Sequence, residues 1–126
     1  MPGSSTTADD RRALGTFGER VVERWYAERG ADILARNWRV REGELDLVVR
    51  LRDVLVFVEV KTRRSKRFGL PIEAITPAKA ARLRRLVGLW LAANSTARPR
   101  SIRIDIASVL VETGAAPRVD VVTLDV

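Results

Sequence analysis

The sequence predicts one α/β domain, a mixed sheet with helices packed against it in the order helix, three strands, helix, two strands. Three observations carry this reading. Apolar residues recur at helical spacing near the start of the chain. Short β-branched runs separated by turn-sized gaps fill the stretch from Ile33 to Lys61. A Thr76-Pro77 helix start then precedes a strongly β-branched run from Ile102 to Val111. A chain of 126 residues has the length of one domain and can bury a real core.

The first helix begins near Thr7 to Asp9 and runs to about Arg29, with Thr7 as its cap and Asp10 as a weak capping-box partner. Leu14, Phe17, Gly18, Val21, Val22 and Trp25 form its buried stripe, and Gly30 stops it. Ile33 to Trp38 reads as a strand, Arg39 to Gly43 as a polar turn, and Glu44 to Arg50 and Val54 to Lys61 as a hairpin. Thr76 at the N-cap and Pro77 at the first helical position start a second helix that runs to about Ala93. Its apolar side is Ala80, Leu83, Leu86, Val87, Trp90 and Leu91, with Lys79, Arg82 and Arg85 on the other. This helix is the crossover to Ile102–Val111, and Val119 to Leu124 is a final edge or partly exposed strand.

Cysteine and histidine are both absent, which excludes disulfides, thiolate chemistry and the commonest catalytic base. Metal chemistry would have to rest on oxygen ligands, which suits Mg²⁺ or Mn²⁺. The first ten residues lack the pattern of a secretory signal, and the longest apolar stretch, Leu86 to Ala93, is too short for a bilayer. A soluble, cytoplasmic protein without a membrane partner is expected. Lys and Arg outnumber Asp and Glu by 23 to 16, and the excess is clustered. Five of the seven residues from Lys61 to Arg67 are basic, a distribution suited to nucleic acid.

One chemical constellation stands out: Asp46, Glu59 and Lys61. A two-residue turn at Arg52-Asp53 pairs Leu51 with Val54 and, counting outward, Asp46 with Glu59. Their Cβ atoms would then lie about 4.5 to 5.5 Å apart. Like charges so placed repel, and a hard divalent cation would offset the repulsion. Glu59 and Lys61 share a strand face where the strand leaves the sheet. Glu19 borders the buried stripe of the first helix and can reach in from above, and Glu44, on Asp46's strand face, is a reserve candidate. In this reading the cation activates water and polarises a phosphate, while Lys61 holds the water or stabilises phosphoryl charge. General-base work falls to a carboxylate, to neutral Lys61 or to a second substrate phosphate. The plain alternative is a surface Glu59/Lys61 pair worth about 0 to 1 kcal/mol, with Asp46 accepting turn hydrogen bonds.

Gly43-Glu44-Leu45-Asp46-Leu47 followed by Val56-Phe57-Val58-Glu59-Val60-Lys61-Thr62-Arg63 resembles the PD-(D/E)xK nuclease superfamily. More closely, the chain resembles the YraN-like family, UPF0102, of predicted endonucleases related to archaeal Holliday junction resolvases. Gly15-Thr16-Phe17-Gly18-Glu19, Arg36-Asn37-Trp38-Arg39, Phe68-Gly69, Lys79 and Arg103-Ile104-Asp105 add to the match, which spans roughly residues 12 to 124. The resemblance implies a restriction-endonuclease-like fold, with Asp46, Glu59 and Lys61 as catalytic residues and Glu19 in place of the resolvases' helix-borne acid. Asp46, Glu59 and Glu19 would be the metal ligands. Glu44-Leu45-Asp46 stands where the superfamily has Pro-Asp, as in the small family. With residues 1–11 read as a flexible tail, residues 12–126 form one nuclease-like domain.

Arg63, Arg64, Lys66, Arg67, Lys79, Arg82 and Arg85 are candidate nucleic-acid contacts, and Lys79 is equally readable as a solvated residue. Phe68 suits packing more than base stacking. Trp25, Trp38, Trp90, Phe17 and Phe57 read as core or core-edge, and Arg103 with Asp105 as an ion pair supporting the site. The leading expectation is a Mg²⁺- or Mn²⁺-dependent endonuclease acting on branched or structured DNA, with a homodimer as a possible assembly. Its alternative is a non-catalytic nucleic-acid-binding or DNA-repair accessory domain of the same fold.

Overall fold

A computed structural model of the chain describes residues 7–64 and 75–124. The elements are α1 (Thr7–Glu28), β1 (Asp32–Val40), β2 (Gly43–Leu51), β3 (Val54–Arg63), α2 (Pro77–Ala93), β4 (Ser101–Leu110) and β5 (Arg118–Leu124). The strands lie side by side in chain order in one five-stranded sheet. Neighbours are antiparallel except β3 and β4, which are parallel and joined through α2. A parallel pair needs such a crossover. The α-β-β-β-α-β-β order is the predicted one, and the mixed sheet with its two helices is consistent with a restriction-endonuclease-like fold. Among the described residues, no helix is long and apolar enough to cross a membrane.

Each sheet face carries its own core. On one side Val22 and Tyr26 of α1 pack with Leu47, Val49, Val56, Val58, Ala107 and Val109. On the other Leu83, Leu86, Val87 and Trp90 of α2 pack with Leu45, Val48, Leu55, Phe57, Ile104 and Ile106. The alternation Leu55, Phe57 against Val56, Val58 follows from the period of two along a strand. Phe57 and Trp90 meet edge to face with centroids 5.5 Å apart, a geometry that aromatic quadrupoles favour.

Both helices end as their local chemistry dictates. Gly30 takes φ 87 after α1, its N–H donates to Ala27 O, and Ala31 N–H donates to Tyr26 O. These are the two bonds of a Schellman cap. At the start of α2, Thr76 is extended, Pro77 opens the helix and Thr76 Oγ1 accepts from Lys79 N at 3.2 Å.

Helix α1 runs from Thr7, within the expected start near Thr7 to Asp9, while several other expectations are corrected. Phe17, expected in its buried stripe, is 44% exposed, while Tyr26 is fully buried. The helix turns its Gly18, Val22, Tyr26 line to the sheet, and Phe17 falls outside it. The turn before β2 is tighter than expected: Val40 pairs with Gly43, leaving Arg41 and Glu42 between strands. Strand β3 also runs on to Arg63, paired with β4 along its whole length, so Glu59 and Lys61 do not mark its departure from the sheet.

Candidate active site

The site forms where β2 and β3 part. The two-residue turn at Arg52-Asp53 pairs Leu51 with Val54, and the ladder continues in that register to Leu47 and Val58. There it stops. On its other side β2 pairs Leu47 with Arg36 and Leu45 with Trp38, skipping Asp46 and Asn37. Asn37 has φ 48, a left-handed conformation that Asn tolerates better than most residues. The face alternation of β2 breaks at the same place, since Leu45 joins the α2 core and Leu47 the α1 core.

Asp46 occupies that gap. Its Oδ2 accepts a hydrogen bond from Val60 N at 2.8 Å, a side chain taking the place of a strand partner. Its carboxyl lies close enough to Glu59 to feel that charge, the neighbour that the turn length predicts, although the ladder itself ends one residue short of that pair. Burial first, and the Glu59 charge second, push Asp46 up to about 8, against the opposing effect of the Val60 N–H. Lys61 Nζ stands 3.4 Å from Glu59 Oε2, with the Glu59 side chain only 14% exposed. By alternation Glu59 and Lys61 belong to the face of Leu55 and Phe57, so they approach the gap from the α2 side.

Glu19 approaches from the α1 side. Glu19, Glu44 and Asp46 each offer a carboxylate oxygen within 4.8 Å of the others, a spacing that one hard cation can span. The donor set is all carboxylate, which fits Mg²⁺ or Mn²⁺ and no soft metal. Glu59 stands outside this group of three and meets it through Asp46. The reserve candidate, Glu44, is therefore a full member of the cluster.

Asn37 is the residue whose role sequence reasoning missed. Its Nδ2 donates to Glu19 Oε1 at 3.1 Å and to Glu44 Oε1 at 3.0 Å, tying helix acid to strand acid. Arg39 Nε donates to the other Glu44 oxygen at 3.1 Å. An Asn inside a strand-like run was the available signal, because strands are depleted in Asn. A cleft of about 630 Å³ opens beside Asp46, walled in part by Thr16, Glu19, Arg20, Arg24, Arg36 and Asn37.

The basic candidates are distributed unevenly. Arg63 and Arg64 follow Lys61 after Thr62, whereas Lys66, Arg67, Phe68 and Gly69 lie outside the described residues. Arg82 and Arg85 are exposed on α2 and Lys79 is partly buried. A methyl group placed on Gly43 would meet Arg82 Cδ at 3.9 Å, so this arginine lies over the start of β2. Trp90 and Phe57 are core residues as expected, and Trp25 and Trp38 are core-edge.

The expected Arg103–Asp105 pair is present and larger than foreseen. Asp105 is fully buried. It accepts from Tyr26 Oη at 2.6 Å, Thr123 Oγ1 at 2.7 Å and Arg103 Nε at 3.2 Å. Burial and the Asp105 hydrogen bond push the Tyr26 hydroxyl upward, keeping it a neutral donor. This network ties α1 to β4 and β5 and so helps to fix the helix that carries Glu19.

Fold and site together define the class: an α/β domain of restriction-endonuclease-like build, with a carboxylate cluster where two strands separate. The chain belongs to the family described as "Uncharacterised protein family UPF0102", whose profile matches residues 18–124. It is 52% identical to a UPF0102 protein of Beutenbergia cavernae over 108 residues, covering 86% of this chain and 91% of that one. A UPF0102 protein of Frankia alni is 57% identical over 97 residues, covering 77% and 80%. One from Streptomyces griseus is 50% identical over 107 residues, covering 85% and 90%.

Proposed function

We propose that this protein is a Mg²⁺- or Mn²⁺-dependent endonuclease that hydrolyses phosphodiester bonds in DNA, branched or structured DNA being the favoured substrate. The observation that carries the reading is the Asp46 carboxyl lodged between β2 and β3 against Glu59, with Lys61 Nζ 3.4 Å from the latter. An acid held that high by burial and a neighbouring carboxylate is a group waiting for a positive charge, and perturbed acids in a cleft mark functional sites. In this reading Asp46, with Glu19 and Glu44 beside it and Glu59 behind, would hold the cation. When bound, the cation supplies Lewis acidity at a phosphoryl oxygen and acidifies water.

The remaining roles fall to the chain itself. Lys61 orients the attacking water or meets the charge that grows on the phosphoryl oxygens. Asn37 keeps Glu19 and Glu44 together while the cation is absent, which limits reorganisation when it arrives. Arg63, Arg64, Lys79, Arg82 and Arg85, together with Lys66 and Arg67, supply positive charge for the phosphate backbone.

The test is cleavage of junction, flap, single-stranded and duplex DNA with Mg²⁺, Mn²⁺ or EDTA. We expect metal-dependent cutting that EDTA abolishes. Asp46→Ala and Glu59→Ala each lower the rate by at least about 100-fold while DNA binding persists. Cutting that survives both substitutions would reject the site. Binding without cutting on every substrate would establish the accessory-domain alternative instead.

A further inference from the structure

Gly18 lies in the middle of α1, where Ala would be preferred on helix propensity alone. The reason for glycine is on the neighbouring strand. A Cβ built on Gly18 would fall 1.8 Å from Thr62 Oγ1, 2.8 Å from Thr62 Cβ and 2.9 Å from Thr62 Cγ2. Turning the Thr62 side chain relieves the first contact but not the second, because the Thr62 Cβ is fixed by the backbone of β3. A side chain at residue 18 therefore has to move helix or strand, by roughly 0.6 to 1 Å to bring the fixed Thr62 Cβ out to an ordinary van der Waals separation.

Both partners of this contact adjoin a site residue. Gly18 precedes Glu19, and Thr62 follows Lys61. Strand β3 is pinned to β4 at this level, Thr62 pairing with Val109, so α1 is the element freer to yield. Thr62 Oγ1 is buried without a hydrogen-bond partner among the described residues. A hydroxyl left in that state costs free energy, and what it gains in return is contact with the glycine surface.

We propose that the Gly18–Thr62 contact is a positioning device that sets the distance of Glu19 from the strand acids, and thereby the cation affinity of the cluster. The inference rests on the metal-site reading given above. Gly18 and Thr62 touch no substrate; they act through Glu19 and its bond from Asn37. Outer groups that orient metal ligands commonly govern affinity over a 10- to 100-fold range.

The experiment follows Mn²⁺ binding to the full chain by calorimetry, together with the Asn37 side-chain amide signals in ¹H–¹⁵N spectra recorded without metal. Gly18→Ala is expected to weaken Mn²⁺ binding about 10- to 100-fold and to shift the Asn37 signals. Gly18→Ala combined with Thr62→Gly is expected to restore both. Val87→Ala, which loosens the α2 core on the opposite face of the sheet, lowers the melting temperature and leaves Mn²⁺ affinity at the wild-type value. Should Gly18→Ala fail to fold, Thr62→Ile presses on the same contact from the strand side and is expected to give the same pair of changes. Wild-type affinity and unshifted Asn37 signals in Gly18→Ala, or failure of the double substitution to restore them, would overturn the proposal. A wild-type chain that binds no Mn²⁺ rejects the metal reading separately, and the Asn37 signals then decide the positioning question alone.

Discussion

Asp46 is where the chain concentrates unfavourable electrostatics: burial raises its pKa to about 8, and Glu59 contributes in the same direction. An unfolded Asp titrates near 4, so between those values the folded chain binds the extra proton. Stability without metal therefore falls as pH rises from about 4 to about 8. We expect Asp46→Asn to flatten that part of the profile in thermal melts at a series of pH values. Divalent cation should stabilise the wild type most at the alkaline end, where the ionised carboxylate is available. Tyr26 tests the second buried acid. Tyr26→Phe removes the 2.6 Å bond to Asp105 and should cost about 1.5 to 3 kcal/mol in urea unfolding, as for a bond to a charged group.

At the scale of elements, the legible parts are those set by local chemistry. Thr76-Pro77 announces the start of α2, and the helix begins there. Thr76→Ala should cost about 1 kcal/mol, read as a lower urea midpoint with an unchanged slope. The β2–β3 register was legible because a two-residue turn leaves little freedom, and it places Asp46 beside Glu59. The end of that ladder at Leu47 and Val58 was not legible. It coincides with the left-handed Asn37 in β1 and with the pairing of β3 to β4 through Arg63, both set outside the β2–β3 hairpin. The α1 stripe shows the same limit. Helical spacing alone admits a face with Phe17 or one with Tyr26, and only the packing of α1 on the sheet selects Tyr26.

For the whole molecule, the net charge of +7 becomes informative through its placement. The acids gather at the β2–β3 gap, while Arg63 and Arg64 leave it along β3 and Arg82 overhangs the start of β2. On the proposed function, DNA affinity measured by fluorescence anisotropy falls steeply with salt. Arg82→Ala should reduce the slope of log affinity against log salt by about one without changing preference between substrates. An unchanged slope would remove Arg82 from the binding face.

The sequence by itself determined the order of elements, the capping of α2, the β2–β3 register and the nomination of Asp46, Glu59, Lys61 and Glu19. Each follows from spacing, turn length or residue chemistry within a short window, or from a motif that holds those residues together. Tertiary structure alone decided that Glu44 joins the cluster, that Asn37 binds two of its acids, that Asp105 anchors α1 through Tyr26, and that Gly18 meets Thr62. These depend on how closely a helix and two strands approach one another, a distance fixed by packing across the whole sheet.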